Sequence, residues 1–360
     1  MYKTVLCQRH IDAGAKMVEF GGWLMPVQYS GVLSEHAAVR ERAGLFDVSH
    51  MGEIFVSGPD SMRFVDRIVT NSVCNMKNGE IVYSVMCDDE GHTVDDLLVY
   101  CMGPQSWLLV VNASNAEKDY NWISTRVQGE NVKVLNRSPE FGLLAIQGPK
   151  SVGIAAKIMD IPQDLKYYHF CVVEWGGSQL IVSRTGYTGE DGLELMVETG
   201  KTVELWDALL EAGKDEGIAH AGLAARDLLR IESGYSLYGH ELDEKTDPIS
   251  AGLSWVVKMN GRDFIGKAAL EKLKPARKKI AFTLEGKNIP RQGFIIRAGG
   301  KEVGAVTSGT FSPVLQKPIG IGYIAIGGNH TGENLAVEVR GKEIPAAVCK
   351  LPFIKPGVKK

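Results

Sequence analysis

The hydrophobic rhythm of the chain changes at the charged stretch KLKPARKK, residues 272–279, and this change constrains the fold more than any other feature of the sequence. Upstream, helical periods alternate with strand-like runs. Downstream come IAFTL, GFIIRA, EVGAVTSG, IGIGYIAI, LAVEVRG and IPAAVCK, short alternating runs parted by glycine and proline turns with no helical period. Alternation at a period of two over such short segments predicts an all-β C-terminal domain. At 360 residues the chain also exceeds the size at which a single core stops growing, so several domains are expected.

The upstream part reads as α+β. SEHAAVRERAGLFDVS has a helical pattern, with Ser34 as the expected N-cap and Gly44 as the expected stop. GEIFVSG reads as a strand, GPDSMRFVDRIVT as a helix, and IVYSVMCDDEGHTVDDLLVYCM as two strands joined by a turn from Asp88 to Gly91. SWLLVVNA, the helix NAEKDYNWISTRV and VKVLNRS follow. The same grammar recurs from LLAIQGPKSVGIAAKIM, through QLIVSRTG and GLELMVE, to two helices, TVELWDALLEAGKDEG and GLAARDLLRIESGY. The stripe Val203, Trp206 and Leu210 needs only core packing to explain it.

Composition narrows the function classes. Apolar residues at 44% and charged residues at 23% fit ordinary globular domains, and a formal charge of -3 with mixed signs gives no global case for nucleic acid or an anionic membrane. Six scattered cysteines without a CxxC pair argue against a disulfide framework or a thiolate zinc site. The opening MYKTVLCQRHIDAG has no leader-like apolar segment, and no stretch reaches the roughly 18 apolar residues of a membrane span. The expected location is cytoplasmic.

Familiar cofactor motifs fail on inspection. GRDFIGKA (261–268) has Ala268 where a P-loop needs a magnesium-binding hydroxyl, and Gly320, Gly322 and Ala325 lie in a strand-like run rather than at the opening of a helix. The eight histidines show no short ligand spacing, so no metal is expected. Two acidic segments remain. In TVDDLLVY, Asp95 and Asp96 interrupt an apolar strand and face opposite sides; either caps the turn or bonds local backbone, or points into a pocket. In SRTGYTGEDGLELM, a glycine-dense turn leads into a strand where Glu194 stands between Leu193 and Leu195, either on a solvent face or lining a cleft.

The blocks FGGWLMPVQY, EHAAVRERAGLFDVSHMGE, YSVMC, DDLLVY, VVNASN, AIQGP, SRTGYTGEDG, GLAARDLLRIE, GLSWVVK, FIGKAAL and TSGTFSP, with PF near the end, occur in order from Phe20 to Phe353. Together they closely resemble the glycine-cleavage aminomethyltransferase family. The resemblance implies an α+β chain folded as a three-domain cloverleaf around a central folate-binding hole, with a jelly-roll-like β domain at the C-terminus. The implied division is 1–48 with 140–250 as one discontinuous α+β domain, 49–139 as a second, 251–277 as a connection and 278–360 as the all-β domain. The implied reaction moves the methylene of the aminomethyl-lipoyl arm of lipoylated H-protein to tetrahydrofolate as co-substrate, giving 5,10-methylenetetrahydrofolate, ammonia and the dihydrolipoyl carrier. H-protein and the other glycine cleavage enzymes are the implied partners, with neither nucleic acid nor membrane among them.

Residue by residue, Glu194 matches the family carboxylate that accepts the adjacent N–H donors of the pterin, and Arg226 the pterin-site arginine. Asp96 matches the catalytic carboxylate near N5 and N10 of folate. Tyr83, Asn112, Tyr187 and Tyr235 match folate-lining positions. The sequence departs from the pattern at His92, where a second glycine is usual, and in the tail KPGVKK, which lacks an aromatic or arginine and is expected not to touch substrate. Folate-binding relatives of iron–sulfur maturation or RNA modification carry a cysteine block that DFIGKAAL (263–270) lacks. A demethylating dehydrogenase would need a preceding flavin-binding segment, and Asp96, Glu194 and Arg226 all being present argues against a non-catalytic folate binder.

Overall fold

The computed structural model describes residues 1–327 and 335–359, and its strands form three open sheets and one closed barrel. A small sheet opens the chain, with β1 (Tyr2–Lys3), β2 (Lys16–Phe20) and β3 (Trp23–Gln28) in the order β1-β3-β2 and α1 (Cys7–Asp12) between the first two strands. Next come α2 (Val32–Glu41) and β4 (Gly44–Asp47). Both expected ends of this helix are displaced. Its cap is Gly31, while Ser34 lies inside the first turn with its hydroxyl donating to the Gly31 carbonyl at 2.8 Å. No side chain caps the helix; the buried carboxylate of Glu35 instead ties its entry to the rest of the domain, accepting backbone N–H groups from Tyr29, Gly31 and the distant Gly222. Gly44 begins β4 rather than ending the helix.

The second sheet contains β5 (Gly52–Ser57), β6 (Ile81–Cys87), β7 (Thr93–Gly103), β8 (Ser106–Val111) and β9 (Lys133–Asn136), antiparallel in the order β6-β7-β8-β5-β9. Helices α3 (Ser61–Ile68) and α4 (Ala116–Thr125) cover one face, where Phe64, Ile68 and Ile123 pack on Ile54, Val99 and Leu109. The third sheet contains β10 (Phe141–Gln147), β11 (Phe170–Trp175), β12 (Ser178–Ser183) and β13 (Gly192–Glu198), with β4 and β14 (Ala219–His220), in the order β11-β12-β13-β10-β4-β14. Only its β14–β4 edge is parallel. On one face Leu144, Ile146, Leu193 and Leu195 meet Leu205, Trp206 and Leu209 of α6 (Thr202–Ala212), while α5 (Ser151–Ala155) adds Ile154. Val203 and Leu210 lean on the same core, so that stripe is packing.

Because alternate residues of a strand point to opposite faces, the second and third sheets each keep one face for helices and turn the other toward its partner. Tyr100, Leu108 and Val110 of one meet Phe46, Leu143, Ala145 and Met196 of the other in a shared core.

After α7 (Leu223–Ser233) the connection, including α8 (Lys267–Lys272), packs Leu242, Leu253 and Phe264 beneath Val85 of β6. The near-P-loop here is structural: Arg262 pairs with Asp66 at 3.0 Å, and Lys267 donates to the Arg262 carbonyl. Strands β15 (Arg277–Leu284), β16 (Ile295–Ala298), β17 (Lys301–Ser312), β18 (Lys317–Ala325), β19 (Leu335–Val339) and β20 (Lys342–Cys349) close into the expected all-β domain, a six-stranded barrel around Phe282, Ile296, Val306 and Val337. Helix α7 joins it to the rest. Arg230, 1% exposed, donates to the Glu241 carboxylate and to the Ser308 hydroxyl, and Glu232 accepts from Ser312 and His36.

Candidate functional site

Where the shared face of the two large sheets meets α7 and the connection, a cavity of about 1090 Å³ opens. That volume is at the upper end of small-molecule sites. Tyr83, Asp96, Asn112, Tyr187, Glu194, Arg226 and Tyr235 all line it, so the seven residues singled out from sequence share one wall system.

The β6–β7–β8 wall carries the carboxylate pair. Asp96 stands on the cavity face of β7, where the Tyr83 hydroxyl donates to its Oδ2 at 2.9 Å and the Asn112 amide to its Oδ1 at 2.9 Å. Asp95 points the other way, toward α4, as alternation requires. It accepts the Asn112 backbone N–H at 3.0 Å, the Asn112 amide at 2.9 Å and the Asn115 amide at 2.7 Å. Of the two readings open for this pair, a pocket-facing carboxylate describes Asp96, whereas Asp95 bonds neither the turn nor nearby backbone but the distant Asn112 and Asn115. Burial and then the Asp95 charge push the Asp96 carboxyl up to about 7, against the two donors that favour its ionised form. A carboxyl poised there exchanges protons near neutral pH, as a general acid or base must.

Glu194 sits on the face of β13 opposite Leu193 and Leu195, which point into the α6 core. It is 9% exposed and lines the cavity, so the cleft reading holds over the solvent-face one. The Thr185 hydroxyl donates to its Oε2 at 2.6 Å, which leaves Oε1 for a ligand. Arg226 lies on the first half of α7 with its guanidinium carbon 4.7 Å from the Tyr187 ring centroid. Among the described residues no hydrogen bond or ion pair engages that guanidinium. Burial holds it below its ordinary arginine value, offset by Glu194 and Tyr187.

Tyr187 is fixed on both sides. Its ring stacks on Tyr235 at 5.6 Å and its hydroxyl donates to the Ser236 carbonyl. The glycine-dense turn exists for close approach: a Cβ on Gly186 would lie 1.9 Å from Gln147 Oε1, and Gly189 adopts φ +77° with Ser233 Oγ beside it. Gly186→Ala is therefore expected to displace Gln147 and to cost about 1 to 3 kcal/mol. Thermal unfolding checks this, and an unchanged melting temperature would show that the turn shifts freely.

Several wall residues were not anticipated. Tyr167 and Tyr168 precede β11, Trp255 stacks on Tyr83 at 5.8 Å and 21°, and Lys279 reaches the cavity from β15. The chain end also reaches the cavity, where Leu351 and Pro352 and, from the tail itself, Pro356 and Val358 line the wall. No aromatic or arginine is needed to hold it there: Phe353 N–H donates to the Glu232 carbonyl at 3.0 Å and Gly357 N–H to the Gly189 carbonyl at 2.9 Å. His92 stands apart, its backbone N–H donating to Asp88 Oδ1 at 2.7 Å in a turn of the expected kind.

Comparison with known proteins covers the whole chain. Residues 6–261 match the family described as GCVT N-terminal domain, and residues 277–355 the glycine cleavage T-protein C-terminal barrel domain. An aminomethyltransferase of Halothermothrix orenii is 48% identical over 98% of this chain and 100% of its own length. One of Thermotoga neapolitana is 47% identical over 100% of this chain and 99% of its own. The crystal structure of the glycine cleavage system aminomethyltransferase T of Bartonella henselae superposes with a TM-score of 0.92 at 33% identity, covering 98% of both chains.

Proposed function

The chain belongs to the glycine cleavage T-protein family of aminomethyltransferases, and on that premise we propose that its central cavity binds tetrahydrofolate and receives the aminomethyl-lipoyl arm of H-protein. The observation that carries this reading is the placement of two unmatched polar groups, Glu194 Oε1 and the Arg226 guanidinium, in one aromatic-walled cavity with the Asp96 carboxyl that Tyr83 and Asn112 orient. A planar heterocycle with an amino group and a ring N–H side by side satisfies Glu194 in bidentate fashion, and its oxo group satisfies Arg226. Tyr187 and Tyr235 offer ring faces to such a plane. The remaining volume and the open side near Trp255, which is 59% exposed, accommodate a slender thioether arm.

Tetrahydrofolate supplies two nucleophilic nitrogens, N5 and N10. In the overall exchange the sulfur-bound methylene loses its bonds to sulfur and to nitrogen and gains bonds to N5 and N10. The two protons released from those nitrogens leave on the thiol and on ammonia, and no electrons change hands. Asp96 is suited to the proton traffic, since it is ionisable near neutrality and oriented by Tyr83 and Asn112. Its charge also opposes positive charge that develops on an attacked nitrogen. Glu194 and Arg226 orient the heterocycle and convert binding into reactive placement. Function within glycine catabolism then brings the other glycine cleavage enzymes as partners. No helix among the described residues is long and apolar enough to cross a membrane.

The direct test is ammonia release from aminomethylated lipoyl H-protein with and without tetrahydrofolate. Rapid release that depends on tetrahydrofolate and yields 5,10-methylenetetrahydrofolate is expected. Equal release without it would remove the transfer reading.

A further inference from the structure

One buried histidine of this chain is unlike its fellows. His10 bonds the Asp47 carboxylate at 2.9 Å and the Tyr29 hydroxyl at 2.9 Å, and His36 bonds the Glu232 carboxylate at 2.8 Å. His50, 3% exposed, has no such partner among the described residues, and its Nδ1 is sealed from solvent unbonded. Buried polar side chains ordinarily find partners, so an orphaned imidazole needs a reason. Nε2 is the ring nitrogen that is not sealed off, and the open space beside the ring is the central cavity, which His50 lines.

The turn between β4 and β5 holds this ring in place. Asp47 Oδ1 accepts the Ser49 N–H at 2.9 Å, the Leu143 carbonyl accepts the Val48 N–H at 2.9 Å, and the Met51 N–H donates to the Val48 carbonyl at 3.0 Å. Strand β5 then opens at Gly52 opposite Val111 of β8, which sets the turn beside Asn112 and the wall of Asp96. On its other side the His50 ring stands edge to face with Phe20, 5.8 Å between centroids. Phe20 belongs to the β2–β3 hairpin, whose Val27 backbone packs so closely on Gly222, just before α7, that a Cβ there would lie 2.5 Å from it. His50 therefore stands between the Asp96 wall and the end of α7 that carries Arg226. Burial pulls the imidazole down to about 4, with the Asp47 and Arg226 charges acting in opposite senses, so the ring is neutral at working pH. A neutral ring has one donor and one acceptor. Buried N–H groups without an acceptor are rarer than acceptors without a donor, which leaves the bare lone pair on Nδ1 and the proton on Nε2.

We propose that His50 is a specificity-determining residue whose Nε2–H donates to the oxo group of the bound heterocycle, taking one lone pair of the oxygen while Arg226 takes the other. The inference rests on the reading of the cavity as a tetrahydrofolate site and names a second protein donor within it. Two donors converging on one position select an oxo group over an amino group there, because an amino group would face them with donors of its own.

Calorimetric titration of the full-length protein with tetrahydrofolate, and with its analogue bearing an amino group in place of the oxo group, tests this. His50→Phe keeps a ring against Phe20 and removes the donor; it is expected to weaken tetrahydrofolate about tenfold and not to weaken the amino analogue. His50→Gln, whose amide still donates, is expected to bind tetrahydrofolate within about threefold of the unsubstituted protein. Unchanged tetrahydrofolate affinity in His50→Phe, or equal weakening of both ligands, would overturn the proposal. Should His50→Phe fail to fold, the ring nitrogen resonances of His50 in the unsubstituted protein decide the matter. An Nε2 signal that moves on adding tetrahydrofolate and stays put with the amino analogue supports the contact, and one that moves with neither or equally with both refutes it. Normal tetrahydrofolate binding that is indifferent to His50 removes this inference alone, whereas no binding by the unsubstituted protein removes the folate reading and this inference with it.

Discussion

Asp96→Asn is expected to lower single-turnover transfer from aminomethylated H-protein by roughly 100-fold or more while changing folate affinity by much less. The amide keeps the shape of the carboxylate and leaves Glu194, Arg226 and the aromatic walls as they are, so the loss falls on the transition state. The pH profile adds a second signature. Protonated below about 7 and ionised above it, Asp96 gives turnover an acid limb near neutrality, and the residual rate of the variant is expected to lack that limb. Stability moves in the opposite sense. A carboxyl whose folded value lies above its unfolded value binds more protons folded than unfolded, so its contribution to stability falls as pH rises from the ordinary carboxylate range through about 7. Asp96→Asn is therefore expected to melt above the unsubstituted protein on the alkaline side of neutrality, with the gap closing as pH falls. Near-normal turnover in Asp96→Asn would place the chemistry on another group.

Binding is expected to fail elsewhere. With the heterocycle held as proposed, Glu194→Gln would turn part of an acceptor edge into a donor facing donors, and Arg226→Ala would leave the oxo group without its partner. Each is expected to weaken tetrahydrofolate binding by about 1 to 3 kcal/mol, roughly fivefold to 150-fold in Kd. The free protein is expected to tolerate both changes, because Glu194 has only the Thr185 hydroxyl to lose and Arg226 only its contact with Tyr187. Calorimetric titration checks the pair. Unchanged affinity in both variants would show that the ligand sits in another orientation or elsewhere.

The cavity residues were legible for two different reasons. Alternation in TVDDLLVY separated Asp96 from Asp95, and the family resemblance tied Glu194, Arg226, Tyr83, Asn112, Tyr187 and Tyr235 to one cavity although they come from several elements. Local pattern alone left Glu194 undecided, since only the core under Leu193 and Leu195 reveals which face of β13 is buried. Strand β3 was hidden by Pro26, which ordinarily argues against a central strand; here it lies where the register with β2 slips between Lys16 and Met17. Strand β14 has two residues and no pattern to read. The contacts of the tail rest on backbone N–H groups, which side-chain chemistry does not foretell.

Strands β4 and β10 are hydrogen-bonded neighbours, yet residues 48–140 leave the sheet between them and build another sheet with its own helices and core before the chain returns. This topology orders the path to the native state. An unfolded loop of that length makes the β4–β10 pairing entropically costly, and non-local pairings of this kind slow folding. Once β5 to β9 have formed through shorter-range contacts, the excursion no longer carries that cost, because its two ends are already brought near each other. The wall that bears Asp96 is then expected to form first and to act as the template on which the wall that bears Glu194 is assembled.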